Sequence, residues 1–228
     1  MKKLRTLAVI IAGLWCCSTR SATTDNYPDD ASGYTDNGLL WTYTKDSFSA
    51  HLYIDGDGEM DNYSSTSLSP WAQYLKYASN IVIGEGITTI GDYAFYSFSY
   101  PDKLKNISIP TTIMSIGQGA FSQTCSTVPL VVIPEGVTTI GANAFNNIGS
   151  RNNNRATVVL PSTLRTIGDH AFYCTNGTEN SNYMITVYSL ASTPPPFQER
   201  LFVLTIMKML RCIAPILLHI LNGLVGHI

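Results

Sequence analysis

The 228-residue chain predicts a β-rich solenoid of short strands stacked coil upon coil with few helices, on three observations. A fifteen-residue line recurs without gaps: IVIGEGITTIGDYAF (81–95), ISIPTTIMSIGQGAF (107–121), VVIPEGVTTIGANAF (131–145) and VVLPSTLRTIGDHAF (158–172). The lines start 26, 24 and 27 residues apart, so length variation is confined to the segments after each Phe, as a repeat architecture requires. The composition agrees, with 45% apolar residues, 17 Gly and 11 Pro marking many short elements punctuated by turns. Disorder throughout is excluded. Charged residues make up 13% of the chain, about half the roughly 25% usual in soluble domains. A net charge of -2, with no basic run beyond the first five residues, excludes the electrostatic footprint of a nucleic-acid binder.

Each column of the repeat has a physical task. Ile81/Ile107/Val131/Val158 alternate with Ile83/Ile109/Ile133/Leu160 across one residue, which places both on the core face of a short strand. The residues between them, Val82, Ser108, Val132 and Val159, are expected to face outward, together with Asn80, Asn106, Leu130 and Thr157. Pro110, Pro134 and Pro161 end the strand by removing a donor and fixing φ, with Gly84 in that place in the first copy. A second apolar pair follows, Ile87/Ile113/Val137/Leu164 and Ile90/Ile116/Ile140/Ile167. Gly91/Gly117/Gly141/Gly168 come next, where a bend of positive φ is expected. Ala94/Ala120/Ala144/Ala171 allow close backbone approach, and Phe95/Phe121/Phe145/Phe172 fill the centre of the coil. Stacking sets like on like in six apolar ladders that no single copy could bury.

The pattern I-x-I-P-x-x-V-x-x-I-G-x-x-A-F is similar to the BspA-like leucine-rich repeats of bacterial surface proteins, over residues 81–172. The resemblance implies a leucine-rich-repeat solenoid of the right-handed α/β superhelix type. Its extent is 81–198, because Tyr188-Ser189-Leu190-Ala191-Ser192-Thr193-Pro194-Pro195-Pro196 resembles the line that opens the last coil in such proteins. Residues 38–80, with Leu40-Trp41-Thr42-Tyr43, the run Leu52 to Met60, Tyr63 and Pro70-Trp71, resemble the module that precedes those repeats, which implies an N-terminal β-hairpin cap.

The flanks carry other signals. Residues 1–22 hold Lys2, Lys3 and Arg5, the apolar run Leu7 to Trp15, then Ser18, Thr19, Ser21 and Ala22, the layout of a secretory signal peptide. The run is about half the ~20 residues that a bilayer span requires. Cys16 and Cys17 follow it directly and are lipidation candidates of the lipoprotein type. Residues 23–37 read as a flexible linker. The tail, 199–228, turns apolar, but Lys208, Arg211, His219 and Asn222 interrupt it, and a charge near mid-span costs about 2.5–3.5 kcal/mol. It reads as a poor membrane anchor or as a frameshifted cap, since a shifted frame over 201–228 permits the closing strand, Tyr and Trp that the family carries. The nucleotide sequence around codons 197–201 decides between the two.

Candidate chemistry is sparse. His170, with Asp169 adjacent and Cys174 four residues on, can be written as a base beside a cysteine nucleophile. The repeat argues against it: His170 shares a column with Tyr93, Gly119 and Asn143, and Asp169 with Asp92, Gln118 and Ala142, so both are expected to tolerate any residue and face solvent. No catalytic residue is assigned. Cys125 and Cys174 both read as small buried hydrophobes, and a disulfide between them, from copies two and four, would need the 146–157 loop to give way. Asp55, Asp57, Glu59 and Asp61 alternate, so a strand would project four carboxylates suited to Ca²⁺ from one face. The bland alternative is an Asp-Gly turn. No EF-hand spacing or metal-spaced Cys/His cluster is present, and no metal or cofactor is assigned.

Recognition is what remains. The variable segments 96–106, 122–130, 146–157 and 173–184 carry Tyr96, Phe98, Tyr100, Arg151, Arg155, Tyr173 and Tyr183, the aromatic and Arg chemistry of binding hot spots. The outward Val82, Val132 and Val159 either support strand stacking or form a shallow apolar face. The resemblance implies adhesion at the surface or outer membrane of a bacterium, or after secretion, by recognition of a host or cell-surface protein or a glycan without catalysis. A structural envelope scaffold without a tight ligand is the second reading, and a secreted Cys/His hydrolase the third.

Overall fold

Alternating apolar residues build the walls of the stack. The computed structural model describes residues 27–98, 101–150, 156–173, 185–190 and 205–207. In chain order the elements are β1 (Ala31–Tyr34), β2 (Leu40–Lys45), β3 (Ala50–Asp55), β4 (Gly58–Glu59), the short helix α1 (Ala72–Leu75), β5 (Asn80–Ile83), β6 (Ile87–Ile90), β7 (Asn106–Ser108), β8 (Ser115–Ile116), β9 (Leu130–Val132), β10 (Thr139–Ile140), β11 (Thr157–Leu160), β12 (Thr166–Ile167), β13 (Ile185–Ser189) and β14 (Thr205–Met207). The fold is the predicted leucine-rich-repeat β-solenoid. The x-I-x-I strands form one wall and the strands before the glycine column form the other. That second wall is an unbroken sheet in the order β4, β6, β8, β10, β12.

Register sets equal columns side by side. Ile81 lies between Leu52 and Ile107, and Val158 between Val131 and Val187. Leu52 and Ile54 therefore occupy the columns of Ile81 and Ile83, so β3 and β4 form a coil ahead of the four sequence lines, and β1 and β2 add to it antiparallel. At the other end β14 pairs in parallel with β13, which carries the first wall past residue 198. Among the described residues no helix is long and apolar enough to cross a membrane.

In each of the four repeat lines the centre of the coil is an aromatic ring. Phe95, Phe121, Phe145 and Phe172 stack with centroids 4.9, 5.2 and 5.5 Å apart and planes within 13° of parallel. Trp71 heads this column 5.7 Å from Phe95, and its Nε1 donates to Ala94 O at 2.8 Å, so the one polar atom of the buried ring is satisfied. Backbone bonds of 2.7 Å run beside the rings, from Phe95 N to Ala120 O, Phe121 N to Ala144 O and Phe145 N to Ala171 O. Cys125 is fully buried as expected, and burial pushes its thiol well up.

Two expectations for the turn are corrected. Gly91, Gly117, Gly141 and Gly168 are not in the left-handed region; positive φ falls two residues later, at Tyr93 (52°), Gly119 (60°), Asn143 (56°) and His170 (56°). The glycines are needed because the preceding coil lies against them. A Cβ on Gly141 would sit 2.5 Å from Gln118 N, and one on Gly168 would meet the Ala142 backbone. The column of His170 is correspondingly not free to hold anything, since left-handed backbone costs a non-glycine residue roughly 1–2 kcal/mol.

The first wall is split in two. β3, β5 and β7 form one sheet with β2 and β1, β9, β11, β13 and β14 form another, and no ladder joins β7 to β9. Pro129 accounts for the start of the break. In earlier coils Ser79 N bonds Ala50 O and Lys105 N bonds Ser79 O, whereas Pro129, in the same column, has no N–H to give. Ile107 and Ile109, expected in the core, are consequently only half-buried at this seam.

Candidate functional site

The outer face of the first wall carries a directed hydrogen-bond chain. Asn106 Nδ2 donates to Asn80 Oδ1 at 3.0 Å, which leaves the Asn80 amide N–H facing His51 Nδ1 at 3.2 Å. Nδ1 is then the acceptor and Nε2 carries the proton, pointing at Ser49 Oγ 3.0 Å away. Ser49 Oγ donates in turn to Asp46 Oδ2 at 3.0 Å. The strands fix this order, because His51, Asn80 and Asn106 are register partners on β3, β5 and β7. Beside them runs the column Tyr53, Val82, Ser108, with the Tyr53 ring stacked on His51 at 6.0 Å and 39% exposed.

Asp46, His51 and Ser49 are the residue types of a hydrolytic triad without its wiring. Ser49 and Asp46 both approach Nε2, with Asp46 3.8 Å away, while Nδ1 is engaged by Asn80. A base must receive the serine proton, and here that proton goes to Asp46. The arrangement orders the β2–β3 tip instead. Phe48 N and Ser49 N each donate to Asp46 Oδ1 at 2.7 Å, and the tip presents Phe48 at 93% exposure. Those two backbone N–H groups hold the Asp46 carboxyl below its ordinary value. A depressed acid stabilises the fold above its unfolded pKa and ceases to do so as pH falls through the folded value. The Phe48 and Ser49 amide shifts in NMR are expected to titrate together with a midpoint below that of a free aspartate, about 3.9; a midpoint at or above it refutes the hydrogen-bonded tip.

Sequence reasoning named Asn80 and Asn106 but missed His51, Ser49 and Asp46. Leu52-x-Ile54 is the signal that finds His51, since it repeats the alternation of the later coils without their Pro or Ala-Phe. Beyond the seam the outer face changes character, with Leu130 42% and Val132 37% exposed.

The repeat sequence decides the family. The model of the BspA type leucine rich repeat region matches in six copies over residues 66–193. The chain belongs to that family. None of the curated proteins matches it. Among solved structures the BspA-type chain is similar to a leucine-rich repeat protein from Eubacterium ventriosum, at 23% identity and a TM-score of 0.48, covering 70% of this chain and 44% of that one. It is also similar to a leucine-rich repeat protein of T. pallidum, at 18% identity and a TM-score of 0.41, covering 74% and 71%. A third is a leucine rich cell surface protein from Faecalibacterium prausnitzii, at 16% identity and a TM-score of 0.28, covering 80% and 58%. The chain thus spans less than half the length of the first of these.

The remaining BspA-type positions separate into three groups. On the wall, Ser108 is exposed and Val82 half-buried as outward residues, but Val159, expected outward, is only 3% exposed. It lies in register between Val132 and the large Tyr188, a neighbour from the next coil. On the turn edge Phe98 is 58% exposed and Tyr173 half-buried, whereas Tyr96 is 9% exposed and no free loop anchor. The left-handed backbone at Tyr93 brings its ring edge-on to Tyr96 at 5.7 Å, and His170 meets Tyr173 likewise at 5.1 Å. Tyr100, Arg151, Arg155, Cys174, Tyr183, Cys16 and Cys17 lie outside the described residues.

The four carboxylates do not share a strand face. Asp55 ends β3, Asp57 sits in the turn, Glu59 ends β4 and Asp61 follows it. Asp55 Oδ1 accepts from Gly56 N at 2.9 Å within its own turn, whereas Asp61 Oδ2 accepts from Asn37 N, 24 residues away in sequence, at 3.2 Å. Among the described residues no group of three or more His, Cys, Asp or Glu is placed to hold a metal ion.

Proposed function

We propose that this BspA-type repeat protein is a non-catalytic recognition module displayed at the surface of a bacterium, where it mediates adhesion to a protein or glycan. The observation that carries the reading is the outer wall itself. In-register strands hold His51, Asn80, Asn106, Tyr53 and Ser108 in fixed columns with polar groups directed to solvent, a preorganised surface rather than a pocket. Preorganisation lowers the ordering cost of binding, and large recognition surfaces on stacked repeats are the usual use of a solenoid. The hydrolase reading loses support from His170, whose ring is engaged edge-on by Tyr173.

Purified full-length chain, presented to immobilised extracellular-matrix proteins and to intact bacterial and animal cells, is expected to bind at least one surface saturably. Absence of saturable binding from a sample with a cooperative unfolding transition overturns the recognition reading in favour of an envelope scaffold.

A further inference from the structure

We infer that His51, Asn80 and Asn106 form a proton-driven polarity switch on the outer wall: protonating the His51 ring turns both asparagine amides over, so that Asn106 directs its N–H groups outward in place of its carbonyl. The switch acts within the wall's own hydrogen bonds, with or without a ligand on it.

The chain leaves each group one orientation. While His51 Nδ1 is unprotonated it accepts from Asn80 Nδ2 at 3.2 Å, and Asn80 Oδ1 accepts from Asn106 Nδ2 at 3.0 Å. The exposed Asn106 thereby turns its carbonyl away from Asn80. On the other side of the ring Nε2 donates to Ser49 Oγ at 3.0 Å, and Ser49 Oγ donates to Asp46 Oδ2 at 3.0 Å. The next proton therefore goes to Nδ1.

Protonated Nδ1 is a donor, and it then meets the Asn80 N–H donor against donor. A half turn of the Asn80 amide sets Oδ1 on Nδ1–H, a charge-assisted bond, but sets its Nδ2 against the Nδ2 of Asn106. The same half turn at Asn106 restores that bond with Asn80 as the donor. Turning one amide alone leaves a bond unmade, which couples the pair. An amide exchanges its N and O within nearly the same volume, so the register of β3, β5 and β7 is kept.

The groups around the ring supply the countercharge. From the β2–β3 tip Asp46 Oδ2 lies 3.8 Å from Nε2. Its carboxyl, held below its ordinary value by the Phe48 and Ser49 amides, is charged wherever an imidazole changes state. On β3 itself the Tyr53 ring stacks on the imidazole at 6.0 Å, and Asp55 closes the strand. On β2 the register partner is Thr44; beside it Lys45 turns Nζ to Tyr27 O and Asp29, and Lys45 N donates to Asp30. β5 presents the uncharged Asn80 and Val82, and Lys105 precedes Asn106 at the far end of the chain.

Side-chain amide NMR of the full-length protein with isotope-labelled asparagine, titrated alongside the histidine ring protons, tests the switch. The His51 ring is assigned by its disappearance in His51→Gln. The Asn80 and Asn106 amide resonances are expected to shift with the midpoint of that ring. The contact between the Asn80 amide protons and His51 Hε1 is expected above the midpoint and lost below it. Asn146, whose Nδ2 bonds Asn143 Oδ1, is expected not to follow. His51→Gln is expected to abolish both shifts. Asn80→Val removes the relay and is expected to abolish the Asn106 shift while the His51 ring still titrates; Asn80→Ala takes its place if the valine variant does not unfold cooperatively. An Asn106 resonance that stays fixed while His51 titrates overturns the switch. So does an Asn106 shift of unreduced size in the relay variant, the mark of the ring's charge acting through space. An Asn80 contact with His51 that persists at both ends of the titration overturns it as well.

Discussion

Phe121→Ala is expected to lower stability by about 3–5 kcal/mol, measured by urea unfolding of the full-length chain. The ring is fully buried and stacks on Phe95 at 4.9 Å and on Phe145 at 5.2 Å, so truncation opens a void facing both neighbouring coils. Backbone bonds on either side, Phe95 N to Ala120 O and Phe121 N to Ala144 O, hold the coils at fixed spacing and limit collapse into that void. Phe172 is 5% exposed and the last described ring of the column, and Phe172→Ala is expected to cost less. Equal losses at the two positions would refute the ladder as the main source of coil-to-coil cohesion. Against a total stability of about 5–15 kcal/mol, the central substitution removes a large share.

Gly141→Ala carries the second large effect, and its cause is steric. The added carbon would lie 2.5 Å from Gln118 N, 2.6 Å from Gly117 C and 2.8 Å from Gln118 Cα, all backbone atoms of the preceding coil. That coil cannot recede without breaking the bond from Gly141 N to Ile116 O at 2.8 Å. A loss of about 3 kcal/mol, the upper part of the overpacking range, is expected. Asn143→Gly, two residues on at φ 56°, relieves left-handed strain while losing the Asn146 Nδ2 bond to Asn143 Oδ1, and is expected to change stability by no more than roughly 1 kcal/mol. If Gly141→Ala proves as mild as Asn143→Gly in thermal unfolding, the close approach between coils is wrong.

The six ladders were legible because rigid spacing forces like onto like, and the buried Ile, Ala and Phe columns follow from alternation alone. What escaped the sequence depends on neighbours across coils. Val159 looks like Val132 in its own line, yet its exposure depends on Tyr188 in the next coil. Tyr96 looks like a loop anchor until the left-handed turn at Tyr93 brings the two rings together. The glycine column was assigned to the wrong cause, since a close approach and a positive φ leave the same residue in a sequence. His51 was missed because its coil keeps the Leu52-x-Ile54 alternation and little else. The seam at β7 and β9 had two visible marks, the shortest spacing of 24 residues and Pro129 at a column that elsewhere donates, but their meaning needed the pairing of both walls.

That seam gives the molecule a direction of compliance. One wall is bonded from end to end and acts as a spine, while the other is cut once, so bending about the spine opens or closes the cut without breaking a ladder. Under tension along the stack, the load at this level falls on the spine bonds, on the ring-edge bonds from Gly119 N to Ala142 O, Phe121 N to Ala144 O and Gln123 N to Asn146 O, and on the side-chain bonds of Ser126 to Pro101 O and Thr127 to Leu104 O. The coils bearing Tyr53, Asn80 and Asn106 can then move as one leaf against those bearing Val132 and Val159. Bending at this crease leaves the strand pairing within each leaf intact, because the ladders of β3, β5 and β7 and of β9, β11 and β13 lie wholly on one side of it or the other.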